Sequence, residues 1–197
     1  MKMKMMLSVL IFVLGSFTSS FSQDKAKASS LTDVVWLGVD FSAAKFTLVT
    51  EDPAVIVNQY LQSINTLIIT EIEKFDIKKL FNKSGVTNSI DQVNENNAKI
   101  DPSTFVINNE FKLEPEEVAK IIKKYKIPER SGTALVFIAE NLNKSTQTGS
   151  FYVCFFDLDT KAIIDSRRMV GKASGIGFRN YWAGSVYSVM KSWAKEK

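Results

Sequence analysis

The chain has no histidine and a single cysteine, Cys154, in 197 residues. Without histidine there is no Ser-His-Asp or Cys-His nucleophilic centre, no imidazole acid–base catalysis and no His-bearing zinc site. One cysteine gives no thiolate metal cluster and no disulfide within the chain. No dinucleotide or P-loop glycine pattern stands in their place, so the sequence implies no cofactor and weighs against an enzyme. Proline is scarce too, four in all, and two of them, Pro53 and Pro115, open helical patterns. Beyond residue 17 no apolar run approaches the roughly 20 residues that a membrane-spanning helix needs, so no integral membrane segment is expected there.

What is present first is an export signal. Lys2 and Lys4 make a short basic start, an apolar run follows from Met5 through Phe17, and Ser19-Ser20-Phe21-Ser22 supplies small residues for a peptidase. The expected organisation is a signal peptide, 1–22, cleaved after Ser22, then a mobile leader, 23–32, and one domain, 33–197. No cysteine follows the cleavage point to carry a lipid, so the expected product is periplasmic or secreted. Cleavage leaves 23 Lys and Arg against 21 Asp and Glu, a net +2, since only Lys2 and Lys4 are lost. A surplus that small makes no case for a nucleic-acid partner. An exported domain without paired cysteines points to a bacterial envelope rather than to a disulfide-rich animal scaffold.

Along the mature chain, β-branched and aromatic residues from Val34 to Thr50 read as one or two strands bent at Ser42-Ala43-Ala44. Asp52-Pro53 then starts a long amphipathic helix, 53–75, with Tyr60, Leu61, Ile64, Leu67, Ile68, Ile72 and Phe75 on one face. The Asn-rich stretch 84–101 reads as a surface loop, and 104–107 as a brief strand. Pro115 opens a second helix with Val118, Ile121, Ile122 and Tyr125 inward. Three strands follow, 134–139, 151–156 and 162–170, as an antiparallel meander. A Gly-rich segment, 171–177, leads into a last helix, 178–194. The resulting expectation is an α+β fold: a single-layer, mainly antiparallel sheet of four or five strands with about three helices, in the order β-α-(β)-α-β-β-β-α.

Gly171-Lys172-Ala173-Ser174-Gly175-Ile176-Gly177 sits between a strand and a helix, where backbone N–H groups face an anion readily. Lys172, Gly175, Gly177, Arg179 and Tyr181 are therefore the candidate ligand-binding residues. No catalytic residue and no metal site is assigned. Arg167-Arg168 on the third meander strand sends one arginine to each face, with Asp165 and Glu140 as possible acid partners.

Phe155-Phe156-Asp157-Leu158-Asp159-Thr160 resembles the first motif of the haloacid dehalogenase-like phosphatases. That resemblance implies a metal-dependent hydrolase with Asp157 as nucleophile and Asp159 as acid/base. Thr160 arrives one position early, Lys161 takes its place, and only about forty residues remain where that family has a long α/β domain. The element order, with its Gly-rich lead into a final helix, resembles the N-terminal domain of the periplasmic translocation protein TolB. The phrase Gly-Ile-Gly-Phe-Arg-Asn-Tyr-Trp at 175–182 resembles the closing segment of exported proteins of Bacteroides-like bacteria and implies no activity. The functional expectation is an exported envelope protein that binds a partner protein or a small anionic ligand, with the phosphatase-like hydrolase as the alternative.

Overall fold

The computed structural model describes residues 31–129 and 131–196. The expected signal peptide and nearly all of the leader lie outside those residues. The first lane of the sheet is β1 (Asp33–Asp40), a four-residue bend, and β2 (Lys45–Thr47). Helix α1 follows over 53–70, and α2 (Ile77–Leu80), β3 (Gly85–Asn88), α3 (Asp91–Asn97) and β4 (Val106–Ile107) come next. Helix α4 (Pro115–Lys123) leads to β5 (Thr133–Asn143), β6 (Thr148–Asp157) and β7 (Ile163–Lys172), and α5 (Phe178–Lys195) closes the chain.

These seven strands form one sheet. Strand β5 is its axis: β1 and β2 lie end to end along one side of it, both parallel, and β6 pairs antiparallel on the other. Strand β3 pairs parallel with β1, β4 parallel with β2, and β7 antiparallel with β6. Five strands therefore run the same way, with helices on both faces, so the fold is α/β. This overturns the expected α+β fold with a mainly antiparallel single-layer sheet and about three helices. The meander 133–172 is present, but it is only the C-terminal side of the sheet. Each parallel pairing joins segments separated by a helix-containing crossover, the usual connection that brings strands back in the same direction.

The stretch 84–101 is not a loop. It holds β3 and α3, whose polarity follows from their position at the sheet margin: Thr87 and Asn88 are exposed, and α3 buries only Val93 and Asn97. Helix α1 stops at Thr70, short of the expected 75, and takes a π-helical turn at Ile56–Tyr60. Its start is as expected, with Asp52 accepting from the Ala54 N–H at 2.7 Å and Pro53 in the first turn.

Strands β5 and β6 alternate between two cores. Leu135, Phe137, Phe151, Val153 and Phe155 face α1, α2 and α5, and pack with Trp36, Ile64 and Trp182. Val136, Ile138, Cys154 and Phe156 face the other way, onto Val118 and Ile122 of α4 and Val93 of α3. Burial on both faces explains why these strands read as continuous apolar runs. Each fully buried Phe or Leu contributes roughly 1.5–3 kcal/mol from area removed from water.

Candidate functional site

In open α/β sheets the crevice beyond the carboxyl ends of the parallel strands is the usual place for a ligand. Here β2 and β5 end side by side, Thr47 opposite Asn143. Thr47 Oγ1 donates to Asn141 Oδ1 at 2.7 Å, and the Lys144 N–H donates to the Thr47 carbonyl at 2.9 Å. Past β2 the chain turns at Leu48 with φ 56°, a left-handed conformation that bulky residues rarely adopt, and Leu48 is 47% exposed. Past β5, Asn143 Oδ1 accepts from the Ser145 and Thr146 N–H groups at 2.9 and 3.3 Å, which fixes the turn carrying Lys144.

The opposite wall is the 175–177 turn. Ser174 N–H donates to the Tyr181 carbonyl at 3.1 Å, so the turn is tied to the first turns of α5. Gly175 has φ +125°, and a Cβ there would stand 2.8 Å from the Asn180 carbonyl oxygen. Only glycine lets the chain pass so close to the helix. Gly177, with φ 79°, precedes α5 and offers no side-chain cap, so no N-cap side chain satisfies the first N–H groups of the helix. Between the two glycines, Ile176 is 93% exposed.

Aromatic rings form the base. Phe178 stacks on Phe46 at 5.5 Å between ring centres and lies 4.7 Å from Tyr60, which sits in the π-turn of α1. Trp182 meets Phe46 edge-on, and Tyr181 meets Trp182 edge-on at 5.0 Å. The Lys144 ammonium stands 3.9 Å above the Tyr181 ring, a cation–π contact. The groove so enclosed has a volume of about 170 Å³ and is lined by Val49, Glu51, Lys144, Gly175, Gly177, Phe178, Tyr181 and Trp182.

Of the residues expected from sequence, the structure brings Gly175, Gly177 and Tyr181 together in this groove. Lys172 and Arg179 do not line it. Lys172 ends β7 in solvent, its N–H donating to Ser188 Oγ at 3.2 Å. Arg179 faces a separate polar depression along α1 with Gln59, Gln62, Ser63, Thr66, Leu67 and Thr70. Lys144, Glu51, Val49 and Phe178 were not among the expected residues. Their convergence depends on β2 running parallel to β5, a pairing across about a hundred residues that leaves no local trace.

Asp157 and Asp159 lie in the β6–β7 turn. Asp157 Oδ1 accepts from the Thr160 N–H at 2.8 Å, Thr160 Oγ1 at 2.8 Å and the Asp159 N–H at 3.1 Å. Those bonds, the Thr160 backbone first, hold its carboxyl below the ordinary value. The carboxylate closes a turn, and among the described residues no three acidic or thiol side chains are grouped to hold a metal. Both arginines of β7 find acids: Arg167 pairs with Asp165 and stacks 4.1 Å over Trp193, and Arg168 pairs with buried Glu140. Among the described residues no helix is long and apolar enough to cross a membrane. Set against protein families, curated proteins and solved structures, the chain matches none.

Proposed function

We propose that this protein is an exported binding module of the bacterial envelope that engages a partner through the groove at the carboxyl edge of β2 and β5. One observation carries the reading. Of the four large apolar side chains exposed among the described residues, two, Leu48 and Ile176, adjoin that groove's own lining. An aromatic base, a lysine and exposed aliphatic side chains in one place are the composition of a binding hot spot rather than of an ordinary solvated surface. The open N–H groups of α5 and Lys144 also favour a carboxylate or phosphate on the bound species. Export is supported by the basic, apolar and small-residue pattern of 1–22, and an envelope setting by the resemblance carried on 175–182.

The alternative, a phosphatase-like hydrolase on Asp157 and Asp159, is weakened by the use of Asp157 to close its own turn. Purified protein with magnesium should leave p-nitrophenyl phosphate intact.

The binding reading is tested by a photo-crosslinking amino acid placed at position 176 and, as a control, at Glu95. Discrete adducts in living cells at 176 and none at 95 are expected. Equal labelling at the two positions, or none at 176, would overturn it.

A further inference from the structure

The groove is small. At about 170 Å³ it is below the roughly 300–1,000 Å³ that encloses a drug-sized ligand, and it has room for a single side chain. Immediately beside it stands a side chain with nothing to fill. Ile176 is 93% exposed, and the turn carrying it is locked by the Gly175 approach to Asn180 and the Ser174–Tyr181 hydrogen bond. An aliphatic knob and an aromatic hole of matching size are thus held rigidly next to each other on one surface.

The charges repeat the pattern. Lys144 and Glu51 line the same groove, and among the described residues neither enters an ion pair. A two-fold axis through such a patch would bring each copy's Ile176 toward the other's groove and each copy's Lys144 toward the other's Glu51. A surface with both halves of an apolar fit and both halves of an ion pair is complementary to itself, the requirement of an isologous interface.

Resting on the reading of the groove as a binding surface, we infer that its partner is a second copy of this chain, docked two-fold with Ile176 of each protomer in the groove of the other. A heterologous envelope protein would leave the paired charges and the adjacent knob without their common explanation.

The test is sedimentation velocity of the purified protein from 5 to 500 μM. A reversible dimer is expected. Ile176→Asp should raise the dissociation constant at least tenfold with the far-ultraviolet spectrum unchanged, since the side chain it replaces touches solvent. Lys144→Glu and Glu51→Lys should each weaken the dimer, and the double exchange should restore it, an outcome that loss of folding cannot imitate. A monomer at 500 μM, or an Ile176→Asp variant that pairs like the parent, would overturn the inference. Crosslinked adducts at 176 heavier or lighter than a dimer would overturn self-pairing while supporting the groove as a binding site, so the two proposals fail separately.

Discussion

The side-chain amides of Asn65 on α1 and Asn97 on α3 converge on one backbone carbonyl, that of Val39, each at 3.1 Å. Asn65 Oδ1 also accepts from the Val39 N–H, and Asn97 Oδ1 from the Phe41 N–H, both at 2.7 Å. The pairing of β1 with β3 ends at Trp36 and that of β2 with β4 begins at Phe46. Between them two carboxamides do the work of a missing strand, and Asn94 Oδ1 accepts from Asn65 to hold the arrangement. Buried backbone groups left without partners cost free energy, and this is how the outer lane of the sheet stays continuous.

Asn97→Ala should therefore destabilise the fold by about 1–3 kcal/mol, the cost of leaving buried backbone polar groups unpaired. Urea unfolding gives the loss. Amide hydrogen exchange locates it: protection at Phe41 should drop while Val153, deep in β6, changes only with global stability.

Tyr125 donates its hydroxyl to Asp40 Oδ2 at 2.7 Å, and the Ser42 N–H donates to Oδ1 at 2.7 Å, at the bend between β1 and β2. Burial first, then the Asp40 carboxylate, pushes the Tyr125 phenol well above its ordinary value. Tyr125→Phe keeps the ring but strands a buried carboxylate oxygen, at a cost of about 1–3 kcal/mol. A thermal midpoint equal to the parent's would show that the hydrogen bond contributes nothing.

Glu140 is buried at a bulge in β5, where Arg168 grips both of its oxygens and the Leu113 N–H donates at 3.1 Å. Burial pushes its pKa up, but Arg168, Ser150 and Leu113 outweigh it and hold the carboxyl below its ordinary value of 4.5. A folded value below the unfolded one means that the contribution to stability is fully present above about pH 4.5 and is lost as pH falls through the folded value. Arg168→Met should cost on the order of 2–4 kcal/mol at neutral pH, and the deficit should shrink as pH falls, because the buried Glu140 carboxyl left without its partner is relieved by protonation. Chemical denaturation from pH 3 to 7 would settle it, and parallel curves for both proteins would refute the assignment.

Cys154 is wholly buried, and burial pushes its thiol up to about 12. Thiolate is the reactive form, so an aromatic disulfide reagent at pH 8 should label the native protein only at the rate of unfolding. Rapid labelling in the absence of denaturant would contradict the burial.

How much of this was legible in the sequence depends on how local each feature is. Asp52-Pro53, Pro115 and the apolar stripes of α1 and α5 announce their helices within a few residues, and the 133–172 meander follows from successive apolar runs joined by short turns. The bend after Asp40 was visible for the same reason. Strand β3 and helix α3 were not, because a margin element with one buried apolar residue has a loop's composition. Parallel pairing of β1 with β5 leaves no local trace, so the sequence pattern points to an antiparallel α+β sheet and does not show that Lys144 joins the groove. Gly175, Gly177 and Tyr181 share the groove because a strand-to-helix turn keeps near neighbours in sequence close in space.

Strand β5 is shared by β1, β2 and β6, and it begins only at Thr133. During synthesis, then, everything up to α4 emerges with its central partner still missing, and β1 and β2 have only four-residue and two-residue neighbours to pair with. The C-terminal segment faces no such delay, since β5, β6, β7 and α5 meet through near-neighbour contacts of the kind that close fastest. The N-terminal half therefore completes its sheet only with a strand that the last third of the chain supplies.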